Sequence, residues 1–181
     1  MPLDKHPGSF QEARVYHIAI LTIFPAAVIF AAAMDLFSMT IPNRISLTLV
    51  AAFFCLAPFA GLCLEDVGMH VLAGLLMLSI TIGLFAMNYI GGGDAKLASS
   101  VALWLGFGDL MEYALYASLL GGALSIAFLA FRQLPLPYAW ARAEWVERLH
   151  APRGGIPYGI ALSVAALIVY NQSFWLRSIA G

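Results

Sequence analysis

Two carboxylates, Asp35 and Asp94, stand where an apolar chain has least reason to hold them. Asp35 closes one long apolar run, and Asp94 opens another directly behind Gly91-Gly92-Gly93. Ionisable groups within or beside a membrane span are costly and rare, so each one needs a reason. Two carboxyls brought within a few ångströms in low dielectric cannot both ionise, and they would share a proton. Such a pair can hydrolyse a peptide. One carboxylate takes a proton from the attacking water while its protonated partner stabilises the developing oxyanion. That chemistry calls for no metal, no cofactor and no covalent nucleophile. The glycines suit it, because backbone without Cβ atoms lets an extended peptide approach closely. Each aspartate also has a plainer reading: Asp94 as the N-cap of the helix that follows, and Asp35 as an interfacial carboxylate paired with Arg44.

The elements that must position these residues are membrane spans. The chain has 181 residues, of which 62% are hydrophobic and 10% charged, where a soluble domain would carry roughly 25% charged residues. An ordinary water-soluble globule is excluded. One integral-membrane domain over residues 1–181 is expected, all-α, in contact with a lipid bilayer. Nine Lys and Arg against ten Asp and Glu leave a net charge of -1, with no basic block to neutralise a phosphate backbone, so nucleic acid is not expected as a partner. Cys55 and Cys63 form neither a disulfide framework nor a CxxC pair, and His17, His70 and His150 have no metal-ligand spacing, so no metal site is expected.

Apolar runs cover residues 15–34, 46–64, 71–90, 97–107, 110–131 and 156–170, which gives six spans. The fourth is short, so its helix should begin near Asp94, which places that carboxyl at membrane depth. Irregular backbone at that depth is tolerated only where it is buried in protein or lines a wet cavity. Gly106-Phe107-Gly108-Asp109 predicts a tight turn between the fourth and fifth spans. Ala31-Ala32-Ala33 imitates a signal-peptide cleavage site, but the run is long and the charges of its leader cancel, which argues against cleavage.

Orientation follows from the cations. Three connections share a side and carry Arg44, Lys96, Arg132, Arg142, Arg148 and Arg153; the opposite connections hold Glu65, Asp66, Asp109 and Glu112. The first side is cytoplasmic by the positive-inside rule, and both termini then face the periplasm. An even number of crossings separates Asp35 from Asp94, so both lie at the cytoplasmic ends of helices and can converge. Lys5, Arg14 and Arg177 fit this orientation poorly. In the long connection 132–155, Tyr138, Ala141, Trp145 and Leu149 recur at helical spacing behind a Leu-Pro-Leu-Pro segment, which predicts an amphipathic helix on the cytoplasmic membrane surface.

Three blocks carry a family resemblance. Asp35 precedes Ile41-Pro42-Asn43; Gly91-Gly92-Gly93-Asp94-Ala95-Lys96-Leu97 leads into Ala102-Leu103-Trp104-Leu105-Gly106; and Ile156-Pro157-Tyr158-Gly159-Ile160-Ala161 follows. In this order they resemble the type IV prepilin peptidase family over nearly the whole chain. The resemblance implies an intramembrane aspartic endopeptidase of the bacterial inner membrane, with Asp94 of the GxGD motif and Asp35 as its catalytic pair. Its partners would be prepilin or pseudopilin precursors, cut at the cytoplasmic face to remove a short basic leader. The two CxxC pairs that larger, bifunctional members carry are not in this sequence. The chain therefore resembles the short tight-adherence, Flp-pilus branch, and neither methyltransferase activity nor S-adenosylmethionine binding is expected.

Supporting roles fall to Gly91 and Gly93 beside Asp94, and to several residues with a structural alternative. Lys96 could balance charge near the pair, contact the substrate, or anchor topology. Asn43 could donate to a carboxylate or cap the second helix, and Pro42 suits the first turn of that helix. Tyr158 and Gly159 could let the last span approach the active helices closely. The competing function is a small proton- or cation-coupled transporter using the same two carboxylates, and a third reading is an inert scaffold.

Overall fold

The computed structural model describes residues 7–135, 143–151 and 154–180. All regular structure among them is helical: α1 (Pro7–Ser38), α2 (Asn43–Leu56), α3 (Leu64–Ala86), α4 (Gly92–Phe131), α5 (Glu144–His150), α6 (Tyr158–Tyr170) and α7 (Phe174–Ala180). Four stretches are long and apolar enough to cross a membrane: Arg14–Ser38, Leu64–Ala86, Gly92–Phe131 and Tyr158–Ser178. The apolar α2 has 14 residues, about 21 Å at 1.5 Å per residue, and falls short of a bilayer core by itself.

Two boundaries differ from the apolar runs, for local reasons. α2 stops at Leu56, ahead of Pro58 and of Gly61, whose φ is 74°. Glu65 and Asp66, read from sequence as loop charges, instead occupy the first turn of α3. There Asp66 Oδ2 accepts the Cys63 amide at 3.0 Å, where a carboxylate both caps the helix and complements its dipole. At the other end, Asn88 takes a left-handed φ of 60° just past the last turn of α3, a common way to stop a helix.

At 40 residues α4 would be about 60 Å long if straight, twice a hydrocarbon core. It is broken at Gly106, with φ 66° and ψ -176°. The sequence predicted a turn over 106–109; the break is confined to Gly106, and both flanking stretches are helical. Asp94 and Tyr113 line one cavity, although 19 positions of continuous helix would hold them about 28 Å apart. The chain therefore doubles back at Gly106. Carbonyls in the turn before the break, which a helix end leaves short of partners, accept from side chains: Leu103 O from His70 Nδ1 at 2.8 Å and Trp104 O from Trp175 Nε1 at 2.7 Å.

Contacts between helices fix which ends share a level. Asn43, Ser46 and Leu49 meet Lys96, Ser100 and Trp104 in that order, so α2 runs parallel to residues 92–105. Thr81 meets Ala95 and His70 meets Leu103, so α3 runs against them. Asp35 meets Gly159 while Ile20 meets Tyr170, so α6 runs against α1. Asp35, Asn43, Asp94 and Tyr158 thus gather at one end of the bundle, and Ile20, His70, Gly106 and Trp175 towards the other. An aromatic core of Phe24, Phe53, Trp104, Tyr170 and Trp175 fills the interior, with Phe24 stacked on Tyr170 at 4.2 Å and Trp104 tilted against Trp175 at 4.7 Å. Each buried indole N–H finds a backbone carbonyl, as a dry interior requires.

The short α5 crosses the Asp35 end. Val146 and Leu149 are buried, Trp145 packs edge-on against Phe37 at 5.4 Å, and Arg148 Nη1 donates to Phe37 O at 3.1 Å. Arg132, just past α4, donates to Leu149 O at 2.9 Å and Gly155 O at 2.6 Å. The helix expected from Tyr138 is observed only from Glu144; Tyr138, Ala141 and Arg142 lie outside the described residues, as does Arg153.

The backbone of Gly106 lies in a region that essentially only glycine occupies, and a Cβ there would also come within 2.8 Å of the His70 ring. Gly106→Ala is expected to lower stability by about 1–3 kcal/mol, read as a lower unfolding midpoint in detergent. An unchanged midpoint would show that the bend needs no glycine.

Candidate active site

Asp35 sits in the last turn of α1 and is 6% exposed. Its Oδ2 accepts the backbone N–H of Gly159 at 2.7 Å. That amide lies in the first turn of α6, where N–H groups have no intrahelical partner and the helix dipole favours an anion. Asp94 is 8% exposed. Its Oδ2 accepts the Gly91 N–H at 3.0 Å, and Gly91 is the N-cap of α4. Asp94 is therefore not the cap but the residue three positions on that reaches back to it. That role uses one oxygen only. The other, Oδ1, is buried without a hydrogen-bond partner.

Gly93 and Gly159 both pack closely against Ile41. A Cβ on Gly93 would lie 3.1 Å from Ile41 Cβ, and one on Gly159 would lie 2.7 Å from Ile41 Cδ1 and 2.8 Å from Asp35 Oδ2. Ile41 is thus wedged between the helix that carries Asp94 and the helix that holds Asp35. Among the described residues no cation forms a salt bridge with either carboxyl, and Arg44 is not paired with Asp35.

The remaining sequence candidates divide. Pro42 is the N-cap of α2 rather than its first helical residue. Asn43 neither caps that helix nor donates to a carboxylate; its Oδ1 accepts from Lys96 Nζ at 2.8 Å. This exposed pair lines a separate cavity of about 550 Å³, so Lys96 does not balance charge at the aspartates. Tyr158 lies on the site side: its ring lies 3.2 Å from where a Gly121 Cβ would sit, and its hydroxyl meets Ser125 Oγ at 3.0 Å. Asp66 and Asp109 stand with His70 around a cavity near the Gly106 bend, apart from the aspartate pair.

A cavity of about 450 Å³ opens beside Asp94, lined by Thr81, Leu84, Tyr113, Gly121 and Tyr158 among mainly apolar groups. Tyr113 was not singled out from sequence. It is fully buried, its hydroxyl has no partner, and a lone tyrosine within an apolar run carries no sequence signal. Ile41 stood in plain view within a quoted block, but nothing in its type announced a wedge. The arrangement offers two buried carboxyls at one end of the bundle, each anchored through one oxygen by a backbone amide, and an apolar space beside one of them. Those are the parts needed to activate water against a carbonyl group held in that space.

A family model described as the type IV leader peptidase family matches residues 22–126, a stretch that holds Asp35, Asp94 and Tyr113. No curated protein and no solved structure gives a significant match.

Gly159→Ala would force a methyl group into Ile41 and the Asp35 carboxylate, and overpacking of this kind typically costs about 1–3 kcal/mol. A lowered unfolding midpoint in detergent is expected, while Gly83→Ala, inside α3 where a Cβ meets nothing within 4 Å, should unfold no earlier than the parent, since alanine is the better helix former. Equal midpoints for the two variants would remove the close approach of α6 from the account.

Proposed function

The chain belongs to the type IV leader peptidase family, and from that premise we propose that it is an intramembrane aspartic endopeptidase whose catalytic pair is Asp35 and Asp94. The observation that carries the proposal is the burial of both carboxyls at one end of the bundle, with Asp94 Oδ1 unpartnered beside a cavity. In the reaction, water adds to the peptide carbonyl carbon and yields a proton to one carboxylate. The partner carboxyl passes its proton to the carbonyl oxygen, giving a neutral tetrahedral diol. Collapse breaks the C–N bond, the amine leaves with a proton, and the pair again holds a single proton between them.

The cleaved chain is a pilin precursor with a short basic leader ahead of an apolar helix, of the Flp-like kind. Its apolar residues fit the mainly apolar cavity between α3 and residues 107–131. Cleavage takes place at the cytoplasmic face of the inner membrane. Supporting that orientation, Arg44, Lys96, Arg132 and Arg148 stand on the helix ends and connections that flank the aspartates, whereas Asp66 and Asp109 stand near the Gly106 bend; a cation-rich end is retained in the cytoplasm. With α4 doubling back at Gly106, the chain makes six crossings and both termini face the periplasm. The amphipathic α5 then lies at the cytoplasmic surface, its tryptophan at the interface. The activity is peptidase alone, without methyl transfer.

Asp35→Asn and Asp94→Asn should each abolish leader removal from a co-expressed precursor while the protein still inserts. Loss of one member of a pair that acts as a unit removes most of the rate. The wild-type product should carry an unmethylated N-terminus, read by mass spectrometry. Normal processing by both variants would end the protease assignment and point to ion transport through the same carboxylates.

A further inference from the structure

Two polar atoms at the candidate site lack partners, and they are complementary. Asp94 Oδ1 can accept a hydrogen bond and the Tyr113 hydroxyl can donate one; both are buried and unpaired. Asp94 and Tyr113 line the same cavity and lie within electrostatic reach of each other. The other polar side chains of that wall are already occupied. Thr81 Oγ1 donates to Met77 O at 2.8 Å, Ser118 Oγ to Ala114 O at 2.7 Å, and the Tyr158 hydroxyl meets Ser125 Oγ at 3.0 Å. Buried polar groups are normally satisfied, so an orphaned donor and an orphaned acceptor on residues lining one cavity require an explanation.

We propose that Tyr113 is a positioning residue for the reaction: its hydroxyl donates to Asp94 Oδ1, directly or through one water, and so fixes the carboxyl plane towards the attacking water. The proposal rests on the catalytic reading of Asp94. The geometry of α4 makes it possible, because the bend at Gly106 returns Tyr113 to the cavity that Asp94 also lines. With Gly91 N–H holding Oδ2, a second donor on Oδ1 leaves Asp94 no free rotation about its Cβ–Cγ bond. Both anchors come from the helix that carries the residue or from its cap, so movement of the substrate need not disturb them.

The test is Tyr113→Phe, assayed on a purified precursor beside wild type and Tyr116→Phe, which alters another tyrosine of the same helix packed at the core edge. A purely structural Tyr113 predicts that the phenyl variant is at least as stable as wild type and fully active, because removing an unpaired buried hydroxyl costs nothing. A positioning Tyr113 predicts kcat down by roughly 10- to 100-fold, KM within about twofold of wild type, an unchanged or raised unfolding midpoint, and Tyr116→Phe like wild type. Full kcat in Tyr113→Phe overturns the inference, and so does a fall in activity that only follows a loss of folded protein. The Asp35→Asn and Asp94→Asn controls separate the two failures: if they retain cleavage, the catalytic pair itself is wrong; if they are inactive while Tyr113→Phe is unimpaired, only the role of Tyr113 falls.

Discussion

A carboxylate in an apolar bundle has to be met by a donor, and Asp35 is met by the amide of Gly159. That hydrogen bond joins the end of the first helix to the start of the sixth across 124 positions of sequence. It demands a helix N-terminus, since only there is an N–H free to leave the helix. It also demands glycine, since a Cβ would occupy the space of the carboxylate itself. Ile41 then fills the wedge between this contact and Gly93, so the position of Asp94 depends on the same close packing. Small residues at helix contacts are the usual means of tight association where lipid supplies no hydrophobic drive between helices. Here the same small residues set the spacing of two titratable groups.

The second structural device is the bend at Gly106. Without it, α4 would carry Asp94 and Tyr113 to opposite ends of the bundle; with it, they share a cavity wall. A break in a helix leaves carbonyls short of partners, and here His70 and Trp175 supply the donors. The bend is thus tied to two other helices, and its cost is spread through the aromatic core around Trp104.

The third is the covering of the aspartate end by α5, fastened through Arg148 to the carbonyl of Phe37 and through Arg132 to those of Leu149 and Gly155. These cations serve backbone acceptors and leave the acidic pair alone. A salt bridge to either aspartate would hold that carboxylate ionised and so remove the shared proton that the proposed chemistry needs. Keeping arginines nearby but engaged elsewhere is consistent with a charged helix end beside an uncompensated acid pair.

Periodicity and composition settled what local physics controls. Long apolar runs, a glycine break near residue 106, and an amphipathic segment ahead of residue 150 follow from residue type along a few turns, and helices appear in each place. That Asp35 and Asp94 lie at the same end of the bundle was legible, because counting crossings is a one-dimensional operation that needs no packing. Where α2 ended and α3 began was not, because an apolar run does not show which of its residues turn. Nor could sequence decide what each polar atom touches. Lys96 goes to Asn43 instead of an aspartate, Gly159 lends its amide rather than only its smallness, and Tyr113 shares a cavity wall with Asp94 after a reversal of the chain. Those outcomes are distances between residues remote along the polymer, set when side chains of particular volumes close upon one another, and no property of any single residue encodes them.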